Sequence, residues 1–315
     1  MGAVEGLSDG GAMAHPRIDL IGSLRKIFTS GRKVPRLEAQ DRRYNLLLSL
    51  PMTLFLLVFF VAPLTFIGLF AFGAYGADYR PSGALSLSNF ELIFRPETAT
   101  LFGRTAFVAG MVTLLSFVFA YPAAYYIAEQ PTRRRGFLLM LLIIPFWTSF
   151  LLRTYSLKLI FTETGIANDV LAVLGIGPVF DVGTIWAVIW AEVYTFLPFM
   201  ALPLYATLER LSRSAIEASY ILGAGRVQTF FRVILPLSTP GVLAGSLLVF
   251  IIAMGELVIP YLMGGVEAQY LLGNSIYERQ QTPGTASALG LVLMAVVLVV
   301  SMFYLRVAGR GGLRF

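Results

Sequence analysis

Six long apolar stretches, separated by polar segments, dominate the pattern of the 315-residue chain. A helix needs about 20 residues to cross about 30 Å of hydrocarbon, and each stretch is long enough to do so. The pattern therefore predicts six transmembrane helices, at about 46–73, 104–128, 137–157, 183–207, 239–262 and 286–307. The third is the least regular, because Pro145 interrupts it and Arg153 places a charge within it.

The composition agrees with this pattern. Hydrophobic residues make up 57% of the chain and charged residues 13%, whereas an average globular protein has about 45–50% and about 25%. We therefore expect an all-α membrane protein. Because the number of spans is even, both termini should lie on the same side of the membrane.

Several kinds of chemistry are disfavoured by the residues present. The chain has no cysteine and one histidine, His15, so a disulfide framework, a thiolate site and a histidine-based metal centre are not expected. It contains no G-x-x-x-x-G-K-[ST] phosphate loop. We expect no catalytic residue, no metal and no cofactor, and energy for any work must come from outside this chain.

The basic residues indicate the orientation. Of the 24 lysines and arginines, 18 fall in four segments on one side: the N-terminal tail, the loops after the second and fourth spans, and the C-terminus. The positive-inside rule makes that side cytoplasmic. Loops at about 74–103, 158–182 and 263–285 then lie outside. Since the basic residues flank apolar segments and form no continuous patch, they do not predict nucleic-acid binding.

The domain organisation that follows has three parts. A basic cytoplasmic tail occupies residues 1–44, one membrane domain occupies 45–307, and a short cytoplasmic tail occupies 308–315. Within the membrane domain, a polar and basic segment at 208–238 separates the fourth and fifth spans.

That segment, which we call the elbow, predicts two short helices hinged at glycine. Residues 218–222 favour a helix, and Gly223 or Gly225 can adopt the positive φ that ends it. A second helix should cover 226–232 and stop before Pro236, because proline cannot continue a helix without losing a backbone hydrogen bond.

The elbow resembles the EAA loop of permease subunits of binding-protein-dependent ABC importers. That motif runs Glu-Ala-small, three residues, Gly, nine residues, aliphatic, any, Leu-Pro. The matching positions are Glu217, Ala218, Ser219, Gly223, Val233, Leu235 and Pro236. Ser219 replaces the usual second alanine and Val233 the usual isoleucine. A surface helix without a partner is the simpler alternative.

The resemblance implies the type I (MetI-like) fold and an elbow that docks into a groove of a cytoplasmic ATPase. The residues that would couple the chain to that ATPase are Glu217, Ala218, Ser219, Gly223, Gly225, Arg226, Leu235 and Pro236.

Three further stretches, 143–155, 197–205 and 255–265, resemble the permeases of spermidine/putrescine importers. This implies a bacterial inner-membrane assembly of two permease subunits, two ATPases and an external substrate-binding protein. The second permease would be a different chain, although a homodimer stays open. Relatives that move opines, other amines or ferric iron share much of these stretches, so another small solute is an alternative cargo.

Two acidic residues fall within predicted spans and are candidates for a pathway. Glu192 lies near the middle of the fourth span, and Glu256 lies near the outer end of the fifth, between Gly255 and Pro260, which can loosen that helix. Acids in a pathway suit a cationic cargo. Alternatively, either acid pairs with Arg153 or with a neighbouring subunit.

Aromatic side chains near these acids could bind alkylammonium groups by cation–π contact. The predicted substrate pathway comprises Trp147, Tyr155, Glu192, Tyr194 and Glu256. Most aromatics in spans pack or anchor at the interface, which is the simpler interpretation of each one. A transporter driven by an ion gradient is a further alternative, in which Glu192 would carry protons and the elbow would be a surface loop.

Overall fold

The computed structural model describes residues 49–82, 85–177, 180–268 and 271–312. The predicted tail at 1–44, with His15, lies outside these ranges, as do residues 313–315. Across the described ranges the ordered backbone is helical, apart from one isolated antiparallel bridge between Tyr75 and Pro81.

The chain divides between Ala62 and Pro63 into two compact units. The described part of the first unit, residues 49–62, is helical and its apolar side chains are largely exposed. It belongs to helix α1, Ser49–Ala71, which contains a π-helical turn at Leu57–Val61. The first predicted span, 46–73, therefore corresponds to a helix.

The second unit contains the other described helices. They are α2 (Pro96–Glu129), α3 (Thr132–Ile143), α4 (Phe150–Ile160), α5 (Ile166–Val173), α6 (Ile185–Leu208), α7 (Arg213–Ile221), α8 (Arg226–Leu237), α9 (Thr239–Met254), α10 (Val258–Met263), α11 (Gly265–Ala268), α12 (Leu272–Glu278) and α13 (Pro283–Gly312). Three 3₁₀ turns accompany them, at Ser88–Phe94, Ile144–Trp147 and Arg279–Gln281.

The predicted spans are present, but two of them are broken. In the described ranges, α1, α2, α6 and α13 are long and apolar enough to cross a membrane singly. The third predicted span corresponds to α3 with its 3₁₀ turn followed by α4, bent by 91°. The fifth predicted span, 239–262, corresponds to α9 and the separate α10, and α9 is bent by 64° from α8, which precedes it.

The right-angle bend in the third span has a local cause. Pro145 lies in the 3₁₀ turn that ends α3, and Thr148 is extended, with φ −83° and ψ 153°. The Arg153 guanidinium, one turn into α4, donates from Nη1 to the Pro145 carbonyl oxygen at 2.9 Å. The same carbonyl accepts from the Thr148 hydroxyl at 2.7 Å and the Thr148 N–H at 3.4 Å, so several donors satisfy it at the bend.

The core of the second unit is built by α2, α6 and α9. Gly241 and Gly245, four residues apart on α9, let its backbone approach α6 closely. A Cβ on Gly241 would lie 2.6 Å from Thr207 Oγ1, and one on Gly245 would lie 2.9 Å from the Met200 carbonyl oxygen. Glycine is therefore required at both positions for this packing.

The segment between α4 and α6 is fastened by one side chain. The buried Asn168 amide donates to the carbonyl oxygens of Thr162, Glu163 and Phe180 and accepts from the Phe180 N–H. The Phe180 ring stacks on Phe161 with centroids 4.5 Å apart. The short helix α5 in this segment accounts for the apolar stretch there.

Candidate functional site

The elbow has the hinged form that its glycines predict. Helix α7 ends in a Schellman motif, in which the N–H of Ala224 donates to the Ser219 carbonyl and that of Gly223 to the Tyr220 carbonyl, each at 3.0 Å. Gly223 has φ +83° and is the hinge. Gly225 has φ −74° and begins α8.

The prediction that the second elbow helix stops before Pro236 is wrong. Helix α8 continues through Leu237, because a π-helical turn at Phe230–Ile234 directly precedes the proline. A π turn widens the helix. The missing proline N–H and the bulk of its ring are thereby accommodated without ending the helix.

The residues predicted to couple to an ATPase divide by exposure. Most are exposed on the elbow: Glu217, Ala218, Gly223, Gly225, Arg226 and Pro236. Leu235 is partly buried, and Ser219 is buried. The Ser219 hydroxyl lies 2.9 Å from Thr229 Oγ1 and donates to the Ile216 carbonyl at 2.7 Å. Ser219 therefore ties α7 to α8 inside the elbow.

The sequence interpretation missed three apolar side chains of the elbow. Ile221 and Leu222 are 86% and 87% exposed, and Val227 is 71% exposed. They flank the hinge and give it an apolar surface. Their position among polar and basic residues is the signal that could have identified them.

The elbow is also connected to α2. The Phe230 ring, in the π turn, packs edge-on against Tyr121, with centroids 5.4 Å apart, and against Tyr125 at 6.5 Å. The Tyr121 hydroxyl lies 2.8 Å from Ser238 Oγ at the bend between α8 and α9. These contacts, which the sequence interpretation missed, link the hinge to the core of the bundle.

A cleft of about 370 Å³ lies between the elbow and the adjoining ends of α2 and α6. Among the residues that line it are Glu129, Arg135, Glu209 and Glu217. Arg135 bonds through Nη1 to Glu209 Oε1 at 2.5 Å and through Nη2 to the Ala128 carbonyl at 2.8 Å. A hydrogen bond from Tyr205, joined by the hydrogen bond and charge of Arg135, lowers the pKa of Glu209.

Glu192 lies in the interior of the second unit. Glu192 is 1% exposed, and neither oxygen of its carboxylate has a hydrogen-bond partner among the described residues. Thr195, three residues further on the same face of α6, also has a buried hydroxyl without a partner in that part of the chain. Buried polar groups are nearly always paired, so this face has the character of a functional site.

Glu256 lies in the non-helical break at 255–257 between α9 and α10, close to the predicted weak point of the fifth span. Its Oε1 accepts from the N–H groups of Val258 at 2.9 Å and Ile259 at 3.2 Å. Glu256 therefore caps α10, a role that the sequence interpretation missed. Pro260 lies within α10 and does not end it.

Arg153 forms no ion pair with Glu192 or Glu256 in the described ranges. Its guanidinium instead lies over the rings of Phe146, 4.7 Å from the centroid, and Phe150, at 5.8 Å. The alternative that Arg153 neutralises one of the acids within this chain is thus not supported.

The predicted aromatic residues lie at exposed positions. Trp147, Tyr155 and Tyr194 are exposed, and none of them donates a hydrogen bond to Glu192 within the described ranges. Trp147, at 78%, is the most exposed of the three. Of the two acids, Glu192 is buried and Glu256 is partly buried. The substrate pathway through these five residues stays a prediction.

Comparison with known proteins places this geometry in context. The family described as "Binding-protein-dependent transport system inner membrane component" matches residues 120–310. The spermidine/putrescine transport system permease protein PotB of Haemophilus influenzae is 38% identical over 224 residues, which cover 69% of this chain and 78% of that protein. PotB of Escherichia coli is 40% identical over 193 residues, 61% of this chain and 70% of that protein.

Among solved structures, a bacterial alginate ABC transporter in complex with an alginate pentasaccharide-bound periplasmic protein contains a similar chain. The TM-score is 0.65 at 19% identity, and the match covers 85% of this chain and 96% of that one. At this level of identity the likeness extends to the fold.

Proposed function

Because the chain belongs to the family of binding-protein-dependent transport system inner membrane components, we propose that it forms part of the channel of an ATP-driven importer for polyamines such as spermidine and putrescine. It is a transport component and not an enzyme. The observation that carries the cargo assignment is the 38–40% identity to spermidine/putrescine permeases over more than 60% of the chain.

The membrane acids support a cationic cargo. Glu192 is a buried carboxylate of α6 without a hydrogen-bond partner in the described part of the chain, and Glu256 caps α10, which packs against α6. Two acids that repel each other are stabilised together by a cation between them. A protonated amine supplies that charge and can donate hydrogen bonds to both carboxylates. Trp147, Tyr155 and Tyr194 would line the approach to this site.

The elbow supports coupling to a separate ATPase. Its hinge carries the exposed apolar side chains of Ile221 and Leu222 beside the charged Glu217 and Arg226, a mixture that suits docking into a protein groove. Movement of the elbow would be passed by Phe230 to α2. Two ATPase subunits would hydrolyse ATP, and this chain would alternate between inward-open and outward-open states.

The assembly would have further parts. A second, different permease subunit would complete the channel, and an external binding protein would deliver the cargo. The elbow, the tail at 1–44 and the C-terminal tail at 308–315 would face the cytoplasm, with 45–307 as the membrane domain.

Uptake by the reconstituted importer tests this function. Labelled spermidine and putrescine should enter vesicles only when ATP is supplied and the elbow is intact. Uptake of a ferric chelate in place of both polyamines would overturn the cargo assignment. Uptake that follows an ion gradient without ATP would overturn the coupling assignment.

A further inference from the structure

Helix α10 is too short to be stable by itself, since isolated helices of fewer than about 12 residues are marginal in water. It has six residues. Two of its otherwise unpaired N–H groups, those of Val258 and Ile259, donate to the carboxylate of Glu256. The conformation of α10 thus depends on the capping carboxylate and on the surface against which the helix packs.

That surface belongs to α6. Ile259 and Met263 of α10 are fully buried in one cluster with Ala187, Val188 and Ala191. The Gly183 N–H donates to the Met263 carbonyl at 2.7 Å, which fixes the end of α10 at the start of α6.

Glu192 lies one turn along α6 from this contact. It is four residues beyond Val188, so the two side chains lie on the same face of α6. Helix α10 packs in one cluster with Val188, and Glu192 is 1% exposed with both oxygens unpaired in the described part of the chain. One acid is therefore buried beside the packing surface of a helix that a second acid caps.

We propose that Glu256 is a latch operated by the cargo: its carboxylate holds α10 packed on α6 beside Glu192 until a cationic amine draws it away from the Val258 and Ile259 N–H groups. That the cation is an amine rests on the proposed function. The bonds that this carboxylate accepts from backbone N–H groups are charge-assisted on one side only, whereas an ammonium group would bring a full positive charge to the bond. The exchange is therefore favoured only when a cation is present, and Glu192 becomes accessible to the same amine.

Disulfide formation between α6 and α10 reports the closed latch. This chain has no native cysteine, so Ala187→Cys with Met263→Cys introduces a single pair. Ala187 lies one turn after Gly183, whose N–H bonds to Met263. The rate of oxidative cross-linking would be measured in the assembled, nucleotide-free importer, with and without spermidine. The background variants would be Glu256→Ala, Glu256→Gln and the control Glu278→Ala, which removes an exposed carboxylate.

The latch predicts a distinct pattern. Glu256→Ala should slow cross-linking about fivefold, the factor that corresponds to losing a typical helix cap. Glu256→Gln should leave the rate nearly unchanged without spermidine, because the amide oxygen still accepts from both N–H groups. Spermidine should slow cross-linking in the cysteine pair that retains Glu256. It should not do so in Glu256→Gln, because the amide has no charge to attract spermidine. Glu278→Ala should behave as the parent pair does.

Spermidine uptake and the cross-linking rate, measured on the same membranes, distinguish failure of the latch from failure of the cargo assignment. If spermidine is taken up but neither Glu256→Ala nor spermidine changes the cross-linking rate, the latch is wrong and the transport function stands. If Glu256→Ala slows cross-linking but spermidine is neither taken up nor active on the rate, the cap controls α10 and the cargo assignment fails. If Glu256→Ala does not insert into the membrane, the cysteine pair that retains Glu256 still provides a test. A cross-linking rate that spermidine does not change in that protein would overturn the latch.

Discussion

The Tyr121 hydroxyl of α2 lies 2.8 Å from Ser238 Oγ, and both residues are buried at the bend between α8 and α9. Because Ser238 Oγ donates to the Leu235 carbonyl at 3.0 Å, the Tyr121 hydroxyl is the donor in this pair. The bond joins the end of the elbow to a helix more than 100 residues away in sequence. It is therefore a point at which elbow movement reaches the rest of the bundle.

Replacing Tyr121 with phenylalanine removes this bond and keeps the ring contact with Phe230. We expect a loss of about 1 kcal/mol in the free energy of unfolding and a lower ratio of transport to ATP hydrolysis. Both are measured on the reconstituted importer. The matched control is Tyr126→Phe, since Tyr126 is exposed on the same helix. Equal transport ratios in the two variants would show that the bond serves stability alone.

Replacing Gly223 with valine should uncouple the elbow. Gly223 has φ +83°, but no atom lies within 4 Å of where a Cβ would stand, so the effect is backbone strain and not collision. That strain is about 1–2 kcal/mol, enough to lower ATPase stimulation by the loaded binding protein about fivefold or more.

Gly136→Ala in α3 is the control for this test, because Gly136 is helical, has open space around it and is not one of the predicted coupling residues. It should retain stimulation close to that of the native protein. Unchanged stimulation in Gly223→Val, with normal membrane insertion, would contradict the role of the hinge.

Replacing Glu192 with glutamine should lower spermidine transport about tenfold, which corresponds to one lost charge contact of about 1.4 kcal/mol. Stability should not fall, because a neutral amide replaces a buried carboxylate that has no partner in the described part of the chain. Initial uptake rates and thermal unfolding measure the two effects. Glu278→Gln, at an exposed position, is the control, and a native uptake rate in Glu192→Gln would make Glu192 a structural residue.

Replacing Gly245 with alanine should loosen the packing of α9 on α6. The new methyl group would stand 2.8 Å from Met200 Sδ and 2.9 Å from the Met200 carbonyl oxygen. Overpacking of this kind costs about 1–3 kcal/mol, which thermal unfolding in detergent would detect. Gly290→Ala in α13, with no atom within 4 Å of the new group, should unfold at the native temperature.

Acid should remove the stabilisation that the Arg135–Glu209 ion pair gives to the fold. Hydrogen bonds from Tyr205 and Arg135 lower the pKa of Glu209 in the folded chain. The ionised carboxylate therefore stabilises the fold above the unfolded pKa of about 4.3. The contribution is lost as the pH falls through the lower folded value. Melting temperatures measured from about pH 7 to about pH 3 should show a smaller acid-induced decrease in Glu209→Gln than in the native protein. An identical decrease would contradict the pair.

The sequence predicted the parts of the fold that depend on local composition. Apolar length located the spans, and the glycine pattern located the hinge at Gly223 or Gly225, of which Gly223 has the positive φ. The breaks within spans were harder, because Pro145 predicts an interruption but does not predict the 91° angle between α3 and α4. Pro236 is tolerated only because a π turn precedes it, and apolar patterning contains no information about such a turn.

The charged residues of the candidate site could be predicted from the sequence, but their roles could not. An acid within an apolar stretch is visible in the sequence, so Glu192 and Glu256 could be named. Whether each is paired depends on groups that the fold brings together. Glu256 caps α10 through its near neighbours, while Glu192 lies on a helix that packs against residues about 70 positions further along the chain.

Asn168 preorganises the described residues that it joins between α4 and α6. Its four hydrogen bonds hold Thr162, Glu163 and Phe180 in one arrangement. A protein that docked on these residues would therefore lose little conformational entropy on contact.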